Sequence, residues 1–174
     1  MRRTVHIVDD FLTKECCDSV IEYYNSLPQR ETDKYNKEVL LIGDTNNDPC
    51  PAKGRPVVLT DIWCKLEANA KRFGYALQWA QVYKWKLGSV MGLHTDVAST
   101  ATTYTSVLWL NDEFTGGELH FKDGTRFQPV TGRIVWYDGI NYPHKVLPVR
   151  SGTRWAIAAW YKDLYDKGFY SQHI

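Results

Sequence analysis

The chain has 174 residues, 44% of them hydrophobic, which fits one domain with a substantial core. Its 21 Lys and Arg against 20 Asp and Glu leave a formal charge of +1, with no basic run, so nucleic acid is not expected as an obligate partner. No apolar run follows Met1-Arg2-Arg3, and Cys16, Cys17, Cys50 and Cys64 lack Cys-x-x-Cys spacing, so the reading is no secretory signal, no membrane span, no zinc knuckle, and a reducing, cytoplasmic setting with free thiols.

In chain order, residues 4–8 read as a short strand. Thr13 is a good N-cap for a helix over 14–27, because its hydroxyl can accept an otherwise unpaired backbone N–H. Cys17, Val20, Ile21 and Tyr24 recur at helical spacing and give that helix one apolar face, and Pro28 closes it. Residues 29–56 are polar and carry Gly43, Pro49, Pro51, Gly54 and Pro56, interrupted only by Val39-Leu40-Leu41-Ile42. A stretch this long reads as a mobile cover over a site.

A second helix is expected over 61–73, with Ile62, Trp63, Leu66, Ala70 and Phe73 inward and Gly74 ending it. The period then changes from 3.6 to 2: Leu77, Trp79, Gln81, Tyr83 and Trp85 alternate with Ala76, Gln78, Ala80, Val82 and Lys84. Further strands are expected over 102–110, 117–121, 125–128, 133–137, 145–149 and 154–161, separated by Gly-containing turns. Seven Trp and eleven Tyr suit a wide interior with a pocket. The fold class is therefore mainly β with N-terminal helices, a closed or double-sheet architecture. Helical support occupies about 9–74 and the β core about 75–162, in a single unit over 1–174.

Four residues carry the chemistry. His94 and Asp96 form a His-x-Asp pair, and residues i and i+2 of a strand point to one side. His144 lies in Tyr142-Pro143-His144-Lys145-Val146, a turn entering a strand, and Arg154 lies across a predicted hairpin from it. Two imidazoles and a carboxylate occupy one face of a metal and leave the other open, a set that suits ferrous iron in oxygenases. A 2-oxo acid could fill two of the open positions, and the rigid fork of Arg154 suits its far carboxylate. His120, on the Gly-Gly-Glu-Leu-His-Phe strand, is the competing ligand, while His6 and His173 read as ordinary partly exposed imidazoles.

With those residues in view, the segment from 81 to 161 resembles the prolyl 4-hydroxylase branch of the 2-oxoglutarate and Fe(II)-dependent oxygenases. The likeness runs through Gln81-Val82-Tyr83-Lys84-Trp85, His94-Thr95-Asp96, Leu108-Trp109-Leu110-Asn111-Asp112 and Gly116-Gly117-Glu118-Leu119. It continues through Pro143-His144, Pro148-Val149, Gly152-x-Arg154 and Trp160-Tyr161. The resemblance implies a double-stranded β-helix (jelly roll, cupin-like) with iron on His94, Asp96 and His144, and Arg154 on the C5 carboxylate of 2-oxoglutarate. It also implies oxidative decarboxylation to succinate coupled to C–H hydroxylation, with ascorbate as a reductant. Members often carry Tyr where this chain has Trp85, Met91 and Trp109, so contacts to the cosubstrate must be partly rebuilt. Tyr83, Trp85 and Trp109 are the candidates for those contacts.

A prolyl residue in a peptide or protein is the leading substrate, with 29–56 and 97–103 as clamps. Two other readings stand beside it: a hydroxylase of a free amino acid or other small molecule, and a metal- or ligand-binding β-barrel module without redox activity. Nucleic-acid demethylation on the same scaffold is disfavoured by the balanced charge.

Overall fold

The computed structural model describes residues 5–48, 53–96 and 102–164. In chain order β1 (His6–Val8) leads to α1 (Lys14–Ser26), β2 (Lys37–Asp44), α2 (Val57–Arg72), β3 (Tyr75–Trp85), β4 (Met91–His94) and β5 (Thr102–Trp109). The remainder is β6 (Thr115–Gly116), β7 (Leu119–Phe121), β8 (Arg126–Phe127), β9 (Ile134–Asp138), β10 (His144–Val146), β11 (Val149–Ser151) and β12 (Arg154–Asp163). A six-stranded sheet runs β1-β9-β5-β12-β3-β2, a four-stranded sheet runs β4-β10-β7-β8, and β11 pairs with β6. All pairings are antiparallel, and the two larger sheets form the expected double-stranded β-helix.

Helix α1 forms as its sequence dictates. The Thr13 hydroxyl accepts from the Cys16 backbone N–H at 3.2 Å, and Cys17, Val20 and Tyr24 are buried along one face. Helix α2 starts four residues earlier than its apolar spacing suggests. Pro56 sets an extended φ of −53° just before Val57, and its carbonyl accepts from Leu59 and Thr60. The valines after it are poor helix formers, which masks the start in the sequence. Phe73 lies beyond the last turn, is exposed, and stacks on His6 with centroids 5.2 Å apart.

The six-stranded sheet has two different faces. Toward the helices it presents Leu40, Ile42, Val82, Leu108, Ile134, Trp136, Trp155, Ile157 and Tyr161, which pack with Cys17, Val20, Ile62, Trp63 and Leu66 into the main core. The opposite face carries Tyr83, Trp85, Val107, Tyr137, Arg154 and Ala156 and looks toward the four-stranded sheet across a cavity. The strict alternation expected for β3 breaks once. Trp160 pairs with Trp79 and Tyr161 with Leu77, so Gln78 is an extra residue and Leu77 turns to the helix side.

The segment 29–56 is not a simple cover. Its residues 37–44 are β2, an edge strand paired with β3 from Lys37↔Trp85 to Asp44↔Trp79. The region taken as helical support, about 9–74, thus supplies one strand, β2, to the main sheet, beside the β1 strand expected over 4–8. Residues 49–52 and 97–101, part of the two proposed clamps, lie outside the described residues. Among the described residues, no helix is long and apolar enough to cross a membrane.

The chain enters the helical layer against the turn before β9, where Phe11 and Leu12 donate backbone N–H groups to the Gly132 carbonyl at 2.9 and 3.3 Å. Gly132 has φ +79°, and a Cβ there would collide with the Leu12 carbonyl. Gly132→Ala is therefore expected to destabilise the fold by about 2 kcal/mol or more, read as a lower urea midpoint at unchanged slope. Parent-like stability would show that this junction does not constrain the fold.

Candidate metal centre and carboxylate pocket

His94 is the last residue of β4, and it pairs directly with His144, the first residue of β10. Both side chains therefore come to the same end of the small sheet, with ring centroids 4.4 Å apart. Asp96 is not on the strand with His94, as the i, i+2 argument expects; β4 ends first. Its place is set instead by its backbone N–H, which donates to the Gly139 carbonyl at 2.9 Å, and by Thr105, whose hydroxyl donates to Oδ2 at 2.6 Å. The Asp96 oxygens each face one imidazole, Oδ1 to His94 Nε2 and Oδ2 to His144 Nε2, both at 3.5 Å.

This donor set fits a metal ion. Candidate ligand atoms of the three residues lie within 4.8 Å of one another, with an Asp96 oxygen 3.5 Å from each imidazole Nε2, so the three can converge on one ion. Each imidazole engages a carbonyl through Nδ1: His94 with Gly92 at 2.8 Å and His144 with Tyr142 at 2.9 Å. A donor at Nδ1 fixes the tautomer that leaves the Nε2 lone pair free for a metal. Protonation states also suit ligation. Burial raises the Asp96 pKa, but His94, His144 and Thr105 outweigh it and hold the carboxyl below its ordinary value. Burial lowers the pKa of His144, only partly opposed by Asp96, so this ring is neutral. For His94 burial favours the neutral ring, yet the Asp96 and Gly92 hydrogen bonds prevail and raise its pKa.

The three residues open into a cavity of about 190 Å³ whose far wall holds Arg154. Arg154 starts β12, is only 2% exposed, and donates from Nε to the Gly117 carbonyl at 2.9 Å. Gly117, at φ +66°, is required here, because a Cβ would stand 2.8 Å from Arg154 Cδ. The guanidinium carbon lies 5.0 Å from the centroid of the Trp85 ring. Burial pushes the Arg154 pKa down to about 10, which leaves it a cation at neutral pH, and among the described residues it has no carboxylate partner. A buried, unpaired cation is a strong demand for an anionic ligand.

Arg154 does not face His144 across a hairpin, as its position in the sequence suggests. The two stand in different sheets, with β11 paired to β6 between them in the chain, so they face each other through the cavity. Trp85 and Tyr83 both line the cavity. Tyr83 donates its hydroxyl to Gln81 at 2.5 Å, so that proton is already engaged. Trp109 does not line it: the side chain is fully buried in a cluster with Leu119, Phe121, Tyr137 and Tyr142, although its register partner Ala156 does line the cavity. His120 lies on β7 beside Lys145 and Arg126, away from the cavity.

Three polar lining residues escaped the sequence reading: Lys37, Thr105 and Tyr137. Tyr137 feels both the Asp96 charge and that of Arg154 and stacks edge-on to His144 at 4.8 Å. The inward phase of the 133–137 strand was the available signal for Tyr137. Thr105 stands on an expected strand, but only the three-dimensional approach of Asp96 gives it a role. Gly139 was visible only as a turn residue. Its missing side chain is filled by Thr105 and by Asp96, whose Oδ2 would lie 3.0 Å from an added Cβ.

Comparison with known proteins agrees with this geometry. Residues 79–162 match the model of the 2OG-Fe(II) oxygenase superfamily. The chain is 38% identical to human prolyl 3-hydroxylase 3 over 71 residues, 37% of this chain and 10% of that protein. A PKHD-type hydroxylase of Xanthomonas campestris pv. campestris (strain B100) is 33% identical over 102 residues, 56% of this chain and 41% of that protein. The match thus spans about a tenth of the prolyl 3-hydroxylase and under half of the bacterial hydroxylase. In fold, the chain is similar to a Pseudomonas putida prolyl-4-hydroxylase, with TM-score 0.73 at 15% identity, covering 92% of this chain and 93% of that one. It is likewise similar to a Trichoplax adhaerens prolyl hydroxylase solved with a hypoxia-inducible factor peptide, with TM-score 0.72 at 17% identity over 97% and 87% of the two chains. Residues 79–162 are thus similar to the 2OG-Fe(II) oxygenases, and the fold of the chain is that of the prolyl 4-hydroxylases it resembles.

Gly139→Ala is expected to push Asp96 from its place and weaken Fe(II) or Co(II) binding by about tenfold or more, with thermal unfolding nearly unchanged. Metal titration at fixed pH checks this, and unchanged affinity would remove Asp96 from the ligand set.

Proposed function

We propose that the chain is a 2-oxoglutarate- and Fe(II)-dependent hydroxylase that couples oxidative decarboxylation of 2-oxoglutarate to hydroxylation of a prolyl residue in a peptide or protein. The observation that carries this reading is the joint opening of His94, Asp96 and His144 and of the unpaired Arg154 into one cavity. A passive metal-binding module has no use for a buried guanidinium in the same cavity.

In this reading His94, Asp96 and His144 would hold ferrous iron, which would supply the redox chemistry that couples a 2-oxo acid to dioxygen. Arg154 takes the far carboxylate through its two-donor fork. Val107, Leu119, Val146, Ala156 and Ala158 give apolar walls that exclude water from the reacting groups. Tyr137 and Trp85 stand beside the path between the metal ligands and Arg154, where a hydroxyl and an indole N–H can orient the ligand.

The cavity is below the ~300–1,000 Å³ that encloses a drug-sized molecule. It has room for a small dicarboxylate, so a peptide reaches it with one side chain from the mouth, where His94 is partly exposed. Trp160, stacked on Trp79 at 4.6 Å, lines this space with a flat apolar surface suited to a pyrrolidine ring. The prolyl hydroxylases among the relatives support the same substrate class. A reducing, cytoplasmic setting suits ferrous iron and accords with free Cys16, Cys17 and Cys64 among the described residues, Cys17 having its pKa pushed up to about 11 by burial.

The test supplies ferrous iron, 2-oxoglutarate and ascorbate with proline-rich peptides and free amino acids, and follows succinate and a mass gain of one oxygen together. His144→Ala is expected to abolish both products, and Arg154→Ala to raise the KM for 2-oxoglutarate by about 30-fold or more, from loss of a buried charge pair. Turnover of 2-oxoglutarate by Arg154→Ala at the parent's KM would reject the cosubstrate assignment. Oxygen gain only on a free amino acid would replace the peptide substrate.

A further inference from the structure

Lys37 is the charged residue of the cavity that the reading above leaves unused. It opens the edge strand β2, is only 5% exposed, and lines the same space as Arg154. The strand register sets it in one row with Trp85 and Arg154: Lys37 pairs with Trp85 on one side, and Arg154 pairs with Trp85 on the other. Directly paired residues share a sheet face, so both cations flank one indole. The Lys37 ammonium lies 4.9 Å and the Arg154 guanidinium carbon 5.0 Å from the Trp85 ring centroid. The ammonium is also 4.3 Å from the Tyr83 ring and 5.1 Å from the Tyr35 ring.

Two like charges in one mostly apolar cavity repel, and aromatic faces offset only part of that. The carboxylate beside Lys37 is Asp33, at a loose 3.7 Å, one-third exposed and therefore screened by solvent. The other Asp33 oxygen is already taken by the backbone N–H groups of Tyr35 at 2.8 Å and Lys37 at 3.3 Å. The buried Trp85 Nε1–H has no partner among the described residues. Three groups that can donate to an anion thus line one part of the cavity, with Arg154 lacking any carboxylate and Lys37 held only loosely.

Lys37 is also rigidly placed. Asn36, at φ +59°, donates from its side chain to the Leu87 carbonyl at 3.1 Å, and the Ser89 hydroxyl donates to the Asn36 carbonyl at 2.7 Å. These bonds tie the entrance of β2 to the loop after β3. Along β12 the row of Arg154 is remote from Trp160, which pairs with Thr105, the residue bonded to Asp96. The backbones of both cations therefore stand in a row remote from Thr105, while the Lys37 ammonium reaches into the cavity far enough to feel the charge of Asp96 as well as that of Arg154.

We propose that Lys37 is a second cosubstrate anchor, which closes with Arg154 on the far carboxylate of 2-oxoglutarate across the Trp85 ring. This rests on the 2-oxoglutarate assignment above. It assigns a cavity wall to β2 and makes the selection of a dicarboxylate over a monocarboxylate 2-oxo acid a property of two cations.

The test measures binding, without turnover, on anaerobic Fe(II)-loaded protein by tryptophan fluorescence. It compares 2-oxoglutarate with 2-oxobutyrate, which lacks the far carboxylate. Lys37→Met is expected to weaken 2-oxoglutarate by about tenfold or more, leave 2-oxobutyrate within about twofold, and so narrow the preference between them; Lys37→Arg restores most of it. An unchanged Kd for 2-oxoglutarate in Lys37→Met overturns the proposal, as does an equal loss for both acids, which marks a merely structural lysine. Failure of the parent to prefer 2-oxoglutarate at all would instead strike the cosubstrate assignment, and this anchor with it.

Discussion

Arg154 is a cation held at the floor of an apolar cavity, hydrogen-bonded to one carbonyl and facing no carboxylate among the described residues. Removing such a charge from water costs several kcal/mol, and one hydrogen bond and one aromatic face return only part of it. Much of the surrounding architecture reads as accommodation of that group. Gly117 leaves space for its side chain, the Trp85 ring lies over it, and Asn111 secures the strand by accepting from Trp155 N–H and donating to the Thr153 carbonyl, both at 2.9 Å. An anion that enters with two carboxylates can satisfy Arg154 at one end and reach the three candidate metal ligands at the other.

The three candidate metal ligands depend on a different set of constraints. His94 and His144 meet because they are direct partners in the small antiparallel sheet, while Asp96 comes from just beyond a strand end. Its carboxylate is held between Thr105 of the large sheet and the Gly139 turn. The centre therefore joins the two sheets. Backbone carbonyls at both Nδ1 atoms orient the rings. The helical layer acts at a distance, packing the back of the large sheet so that its inner face keeps a fixed shape.

That His94, Asp96, His144 and Arg154 share one cavity was legible because their residue types and spacing are informative before any fold is known. Helix α1 was legible because its cap and apolar stripe agree. Strand β2 was hidden by Lys37 and Glu38, which look like a solvated pair in a polar stretch. Both are buried, on opposite faces: Lys37 in the cavity, and Glu38 against Tyr24 at 3.0 Å and Lys86 at 2.6 Å. Charged residues satisfied by partners far along the chain leave no periodic signature. Trp109 misled for the opposite reason: it faces the same side of the sheet as Arg154, but it packs with Leu119, Phe121, Tyr137 and Tyr142, and which inward residues are covered by neighbouring side chains is invisible to alternation.

The central claim is that one molecule bridges the metal centre and the buried guanidinium. The direct measurement is the affinity for 2-oxoglutarate without oxygen, with and without Fe(II). Bridging predicts that iron tightens binding by about tenfold or more, and that Asp96→Ala removes this increment while leaving the iron-free affinity largely intact. Equal affinity with and without iron would contradict it, because the two ends of the cavity would then not hold the same ligand.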